Sequence, residues 1–408
     1  MHFLNNSHPR LILSARITMW AAIGLFVMVG LFRSVPAWAE PAACPGQSSI
    51  PITPLALFLR YGGPPSTYQV SLCEDPDAPV NIAASPSQAG KVTISPANFA
   101  LTSTLPLTVS VSVANGHPAD EPFTVIISHT ATSADPDFDY GSLNVPRVTA
   151  YYSPPVAVDD SADTLHGQSV TITVRANDVD RLGGGLTVPA NATFTPSSGT
   201  ATLSANQTIL YTPTVGFSGV ATFTYPIVDA IGNSDTGLVT VTVASANVTN
   251  YTVEEIDPQQ GGTILLATDF GTAEVEIPNL VGVAPGSDVR CLVGEVENPT
   301  GDETSPPDEA GTYTGIALEI QCYVNGELVT PAMLAEPITV SIALPEGLAE
   351  ALDGTRLEVA YWDGTTWVTE GIVVDKLTGA VLRFTTTRFG EFVVFVVYDI
   401  FMPLLGRE

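Results

Sequence analysis

Leu107-Thr-Val-Ser-Val-Ser-Val113 decides the class of fold. Successive side chains of a strand point to opposite faces. Leu107, Val109, Val111 and Val113 therefore share an apolar face, while Thr108, Ser110 and Ser112 share a polar one. The same period of two runs through Val170-Thr-Ile-Thr-Val174 and Leu238-Val-Thr-Val-Thr-Val243. Turn signals such as Asn115-Gly116, Gly183-Gly184-Gly185, Asp363-Gly364 and Thr378-Gly379 separate such runs. Only residues 331–335 and Glu346–Leu352 read as brief helical turns. Short alternating strands at this spacing predict an all-β chain of stacked sandwiches.

Composition agrees with that reading. The 408 residues hold 34 Gly and 33 Pro, with 45% hydrophobic side chains, which is too apolar for disorder. Length alone predicts two to four domains. With 14 Lys plus Arg against 42 Asp plus Glu, the net charge is −28. A phosphate backbone is repelled by such a field, which excludes nucleic acid as a partner.

Residues 1–39 have the three parts of a secretory signal. Arg10 and Arg16 precede an apolar core at residues 19–32, and Ala37-Trp38-Ala39 supplies small residues where a signal peptidase reads. The core is shorter than the roughly 20 residues of a spanning helix. The chain is thus expected to be extracellular or at the cell surface, exported by a Sec-type route, and to touch the membrane only if the signal stays uncleaved. Cleavage removes Arg10, Arg16 and Arg33 and no acid, taking the charge from −28 to −31.

Cys44, Cys73, Cys291 and Cys322 fit an exported protein. Their spacing suggests Cys44–Cys73 and Cys291–Cys322 bridges, although four cysteines allow three pairings. No CxxC spacing and no neighbouring His supports a metal site instead.

Residues 44–152 form the first expected module. Val92-Thr-Ile-Ser-Pro-Ala-Asn-Phe99, Leu107 to Val113, and Phe123-Thr-Val-Ile-Ile-Ser-His-Thr-Ala-Thr-Ser-Ala-Asp-Pro-Asp137 resemble the Calx-beta-like repeats of secreted bacterial proteins. That family places a calcium-binding acidic pair after the central strand. Asn115-Gly116 stands there in this chain, so the resemblance implies the fold and not the ion.

Residues 154–244 resemble the cadherin-like, bacterial Ig-like tandem repeats of large surface proteins. The resemblance rests on Pro155-Val-Ala-Val-Asp-Asp160, Val174-Arg-Ala-Asn-Asp-Val-Asp180, Tyr211-Thr-Pro213, Gly216-Phe-Ser-Gly219, Phe223-Thr-Tyr225, Asp229, Gly232 and Val239-Thr-Val-Thr-Val243. It implies an Ig-like sandwich filled by Phe217, Phe223 and Tyr225. Asp159, Asp160, Asp178, Asp180 and Asp229 match its acidic positions and form the expected calcium set. Calcium needs six to eight oxygens from converging loops. Arg181-Leu182-Gly183-Gly184-Gly185 interrupts the acidic run, and the competing reading is that these aspartates cap turns.

Residues 250–398 form a β-rich C-terminal domain, and residues 399–408 a short tail that packs on the last sheet or serves as a docking or export tag. Leu357-Glu-Val-Ala-Tyr-Trp-Asp-Gly-Thr-Thr-Trp-Val368 reads as a hairpin. Val381-Leu-Arg-Phe-Thr-Thr-Thr-Arg-Phe-Gly-Glu-Phe-Val-Val-Phe395 adds two strands around Gly390. The domain is similar to the ZU5-like C-terminal regions of bacterial surface proteins.

Catalysis has little support. His117, His129 and His166 lack motif partners, and Ser218 in Gly216-Phe-Ser-Gly219 lacks the spacing of a nucleophile elbow. There is no HExxH, Walker loop or dinucleotide fingerprint. Acids are plentiful, but no pair is marked for glycoside chemistry. The reading is therefore a non-enzymatic β-sandwich rod for adhesion or spacing, whose partners are surface proteins or glycans. The alternative is a carbohydrate-binding surface protein using the C-terminal domain, with Tyr361, Trp362 and Trp367 as a stacking platform. Cross-strand packing is the other reading of that aromatic group.

Overall fold

A computed structural model describes residues 49–139, 145–300, 311–375 and 377–397. The proposed signal, Cys44 and the tail lie outside these residues. The described residues divide into two compact units: those of 49–155 with 180–186 and 229–233, and those of 156–179, 187–228 and 234–397.

In the first unit, Leu107–Val113 behaves as its alternation predicts. Val109 and Val111 are fully buried, Val113 is buried and Leu107 is half-buried. The strand lies in a four-stranded sheet ordered Ile52–Thr53, Ser66–Val70, Leu107–Val113, Val92–Ser95. A five-stranded sheet runs Ala56–Phe58, Val148–Tyr152, Phe123–Thr132, Val80–Pro86, Asn98–Leu101. Inward residues of both sheets, among them Tyr68, Val70, Val125, Ile127 and Ala150, form one core. His129 is buried in it, bonded to the Tyr68 hydroxyl at 2.8 Å and to Pro146 O at 2.9 Å. Burial holds this imidazole below its usual pKa.

The second unit begins with two three-stranded sheets. One joins Asp160–Thr164, Ser234–Val243 and Gly219–Val228, and the other Val170–Ile172, Ile209–Thr212 and Thr200–Leu203. Phe223 and Tyr225 fill this sandwich with Tyr211. Phe217 does not: it stays half-buried on the turn closed by its own N–H to Thr214 O at 3.0 Å. A ring left half-buried on a turn is not part of the buried core, which corrects the expectation above.

Two larger sheets follow. Five strands run Gly262–Thr268, Gly271–Ile277, Ile338–Ala343, Val381–Thr386, Ile372–Val374. Six others run Val248–Glu255, Val289–Val296, Gly311–Val324, Gly390–Val397, Arg356–Trp362, Trp367–Val368, and Glu327–Leu328 pairs with Gly311–Val324. Val275, Val293, Ile320, Val340, Phe384 and Phe392 belong to the core between them. The two strands flanking Gly390 thus enter different sheets. The expected hairpin does form, with Trp362 opposite Trp367 and Asp363 N–H bonded to Thr366 O at 3.1 Å. Glu346–Leu352 is helical. Cys291 and Cys322 are direct register partners and form a disulfide.

Candidate functional site

Four of the five aspartates of the expected calcium set, Asp159, Asp178, Asp180 and Asp229, accept backbone amides. In the second unit, Asp159 Oδ1 accepts from Leu238 N at 2.8 Å. Asp178 Oδ1 accepts from Val158 N at 2.8 Å and from the Tyr225 hydroxyl at 2.9 Å. That hydroxyl has one proton, yet Val174 O at 2.8 Å and Val158 O at 3.1 Å also face it. Asp160 lies beside this cluster with its Oδ2 buried and unpartnered, as is Asp178 Oδ2. Burial, with the charges of Asp178 and Asp159, raises the Asp160 pKa to about 6.

In the first unit, Asp180 accepts from Leu182 N, Gly183 N and Gly185 N at 2.6–3.0 Å. Asp229, buried, accepts from Ile231 N and Asn233 N at 3.0 and 2.8 Å. Among the described residues no three acidic, histidine or cysteine side chains are grouped to hold a metal ion. Asp180 and Asp229 thus cap local turns, whereas Asp159 and Asp178 bind amides remote in sequence, and Asp160 and Asp178 each keep one buried oxygen without a partner.

The aromatic hairpin offers no open stacking platform. Trp367 is 4% exposed, and Trp362 meets it edge-on at 5.3 Å. Both pack onto the outer face of the sheet that holds them.

That outer face forms the most elaborate site of the second unit. Leu292, Val296, Ala317, Ala360, Trp367, Val393 and Phe395 point away from the core described above and cluster with Ala244 and Leu165 of the Ig-like segment. Strands apolar on both faces read as continuous runs rather than alternations, which is why Phe392-Val-Val-Phe395 is apolar throughout. Ala244 and Ser245 sit in the short connection between Ser234–Val243 and Val248–Glu255. Ala244 N donates to Thr164 O at 3.0 Å. Tyr251 bonds to Asp163.

A polar chain borders this apolar contact. Ser245 Oγ donates to Glu319 Oε1, Gln321 Nε2 donates to the same oxygen, and the Tyr323 hydroxyl donates to Gln321 Oε1. Glu319 is 4% exposed and stands opposite Glu391 in register. Thr300 holds Glu391 through its N–H and its hydroxyl. Burial first, and the Glu391 charge second, push the Glu319 pKa up to about 7, and burial also raises that of Glu391. At neutral pH Glu319 is thus divided between neutral and charged forms. Sequence reasoning missed this joint. Its visible signals were the apolar run and the glutamates on strands otherwise rich in Val, Ile and Leu.

Residues 152–242 match the bacterial Ig domain family, which is a structural module rather than a catalytic one. A comparison with curated proteins gave no match. Among solved structures, the chain is similar to the I67–I69 I-band fragment of titin at 9% identity, covering 86% of this chain and 93% of that one with a TM-score of 0.25. It is also similar to the periplasmic chaperone SfaE at 17% identity, covering 46% and 99%, with a TM-score of 0.23. A Caenorhabditis elegans MSP family member, WR4, shares 12% identity over 26% and 97%, with a TM-score of 0.20. The protein is thus a modular, all-β protein with a bacterial Ig-like segment. That segment and the Cys291–Cys322 disulfide point to an extracytoplasmic protein.

Proposed function

We propose that the protein is an exported, non-enzymatic spacer and adhesion scaffold that holds the Ig-like and C-terminal modules in one fixed orientation. The carrying observation is the joint, where Ala244 and Leu165 enter the cluster of Leu292, Val393 and Phe395. Neighbouring domains move relative to one another unless their interface is large and hydrophobic. Here the connection is packed, and the Ser245–Glu319–Gln321–Tyr323 chain adds directional bonds to it. A rod that transmits force or keeps a recognition surface at a set distance needs such a joint.

In this reading the signal at residues 1–39 directs export, the first module is Calx-beta-like and the C-terminal domain ZU5-like. The partners are other surface proteins or glycans.

The test is a distance distribution between spin labels at Leu210 and Val373, which are exposed on the Ig-like and C-terminal parts of the second unit. A single narrow distance supports the scaffold. A broad distribution removes its mechanical basis.

A further inference from the structure

The first unit contains a groove of about 570 Å³ lined by aromatic and apolar side chains, among them Phe58, Tyr151, Tyr152 and Leu182, with Arg181 at its rim. Phe58 and Tyr151 are register partners on the paired strands Ala56–Phe58 and Val148–Tyr152, and their rings stack at 5.5 Å. Tyr151 is 36% exposed, which is unusual for so large a ring on a sheet face. The volume lies within the roughly 300–1,000 Å³ of small-ligand sites.

Arg181 gives the groove its chemistry. The guanidinium is exposed and, among the described residues, donates only to Pro154 O, at a long 3.4 Å. It forms no ion pair among the described residues. Of the acids near the groove, Asp180 accepts three backbone amides and Glu121 pairs with Lys91 at 2.9 Å, while Asp120 directs its charge at Tyr152. A planar fork of five donors with most of them free is suited to a carboxylate.

We propose that this groove binds an oligosaccharide carrying a single uronic-acid ring, with the sugar face on Tyr151 and Phe58 and its carboxylate on Arg181. A uronate ring combines an apolar C–H face with a carboxylate at fixed spacing, and the Thr124 and Ser153 hydroxyls lining the same groove suit sugar hydroxyls. A peptide strand is disfavoured because Ala56–Phe58, at the sheet edge, is three residues long and gives little backbone to pair with. The net charge of −28 opposes a polyanion, but beyond about 8 Å it is screened at physiological salt. One carboxylate therefore meets Arg181 without heavy repulsion.

The test titrates the full chain with cellobiouronic acid and with neutral cellobiose, read by NMR shifts and calorimetry. The acidic sugar is expected to bind about tenfold or more tightly than the neutral one. Arg181→Gln should remove that difference, and Tyr151→Ala should weaken both, each with an unchanged unfolding midpoint. Equal binding of the two sugars, no binding of either at millimolar concentration, or an unaffected Arg181→Gln variant overturns the proposal. So does tighter binding of a short apolar peptide with a free C-terminal carboxylate.

Discussion

Glu319 stands directly opposite Glu391 on the neighbouring strand, and the buried Glu319 carboxyl takes hydrogen bonds from Ser245 and Gln321. Two like-charged groups in register repel when both are ionised, so this pair is least strained when Glu319 is protonated.

A dependence of stability on pH follows, and its sign runs against the usual one. The unfolded Glu319 ionises near 4.5, the folded one near 7. Between those values the folded state keeps a proton that the unfolded state has released. The contribution is therefore complete below about pH 4.5 and lost as pH rises through about 7, amounting to roughly 3–4 kcal/mol. Asp160, raised to about 6, acts in the same direction. Glu319→Gln should flatten the pH profile of the urea midpoint across this window. A midpoint for the native chain that rises from pH 5 to 8, unchanged in Glu319→Gln, would contradict the assignment.

Tyr251 and Asp163 tie the strand Val248–Glu255 to the Ig-like strand Asp160–Thr164. Removing the hydroxyl in Tyr251→Phe keeps the ring and deletes the bond, at an expected cost of about 0.5–1.5 kcal/mol. In Asp163→Asn the second substitution should add less than it does alone, which a double-mutant cycle measures.

Much of the fold was legible because half-buried strands alternate. Leu107–Val113 shows this, as do the Asp363-Gly364 hairpin and the helical turn at Glu346–Leu352. The joint was not legible, for a physical reason. A strand buried on both faces loses its alternation, so Phe392-Val-Val-Phe395 looked like an ordinary core strand, and nothing local says what covers its second face. Phe217 misled for the opposite reason: an aromatic in a repeat motif was assigned to the sandwich, whereas its turn keeps it half-buried. The aspartates of the Ig-like segment were visible as a group. Which amides each carboxylate meets, local for Asp180 and Asp229 and remote for Asp159 and Asp178, is set by tertiary geometry.

The Cys291–Cys322 disulfide joins two fully buried residues on adjacent strands, separated by 31 positions in sequence. In the chain-entropy argument, closing such a loop stabilises the fold by about 3–4 kcal/mol. The double substitution to Ala should lower stability by that order in chemical denaturation, with the native β-sheet signal retained. No change in midpoint would mean that strand pairing alone holds these residues together.

Asp178 should matter to stability without any ion. In Asp178→Ala the Val158 N–H and the Tyr225 hydroxyl each lose an acceptor, at a cost of about 1–3 kcal/mol. Millimolar calcium should leave the unfolding temperature of the native chain unchanged. A calcium-dependent increase that disappears in Asp178→Ala would restore the ion to this segment.

The proposed scaffold requires the Ig-like and C-terminal parts of the second unit to act as one body. Hydrogen exchange of the full chain, followed by mass spectrometry through a urea series, tests it most directly. The strands Gly219–Val228 and Gly390–Val397 lie on the two sides of the joint. The account predicts that they lose protection together, at one urea concentration. Opening of Gly219–Val228 at distinctly lower urea, while Gly390–Val397 stays protected, would show two independent modules and contradict it.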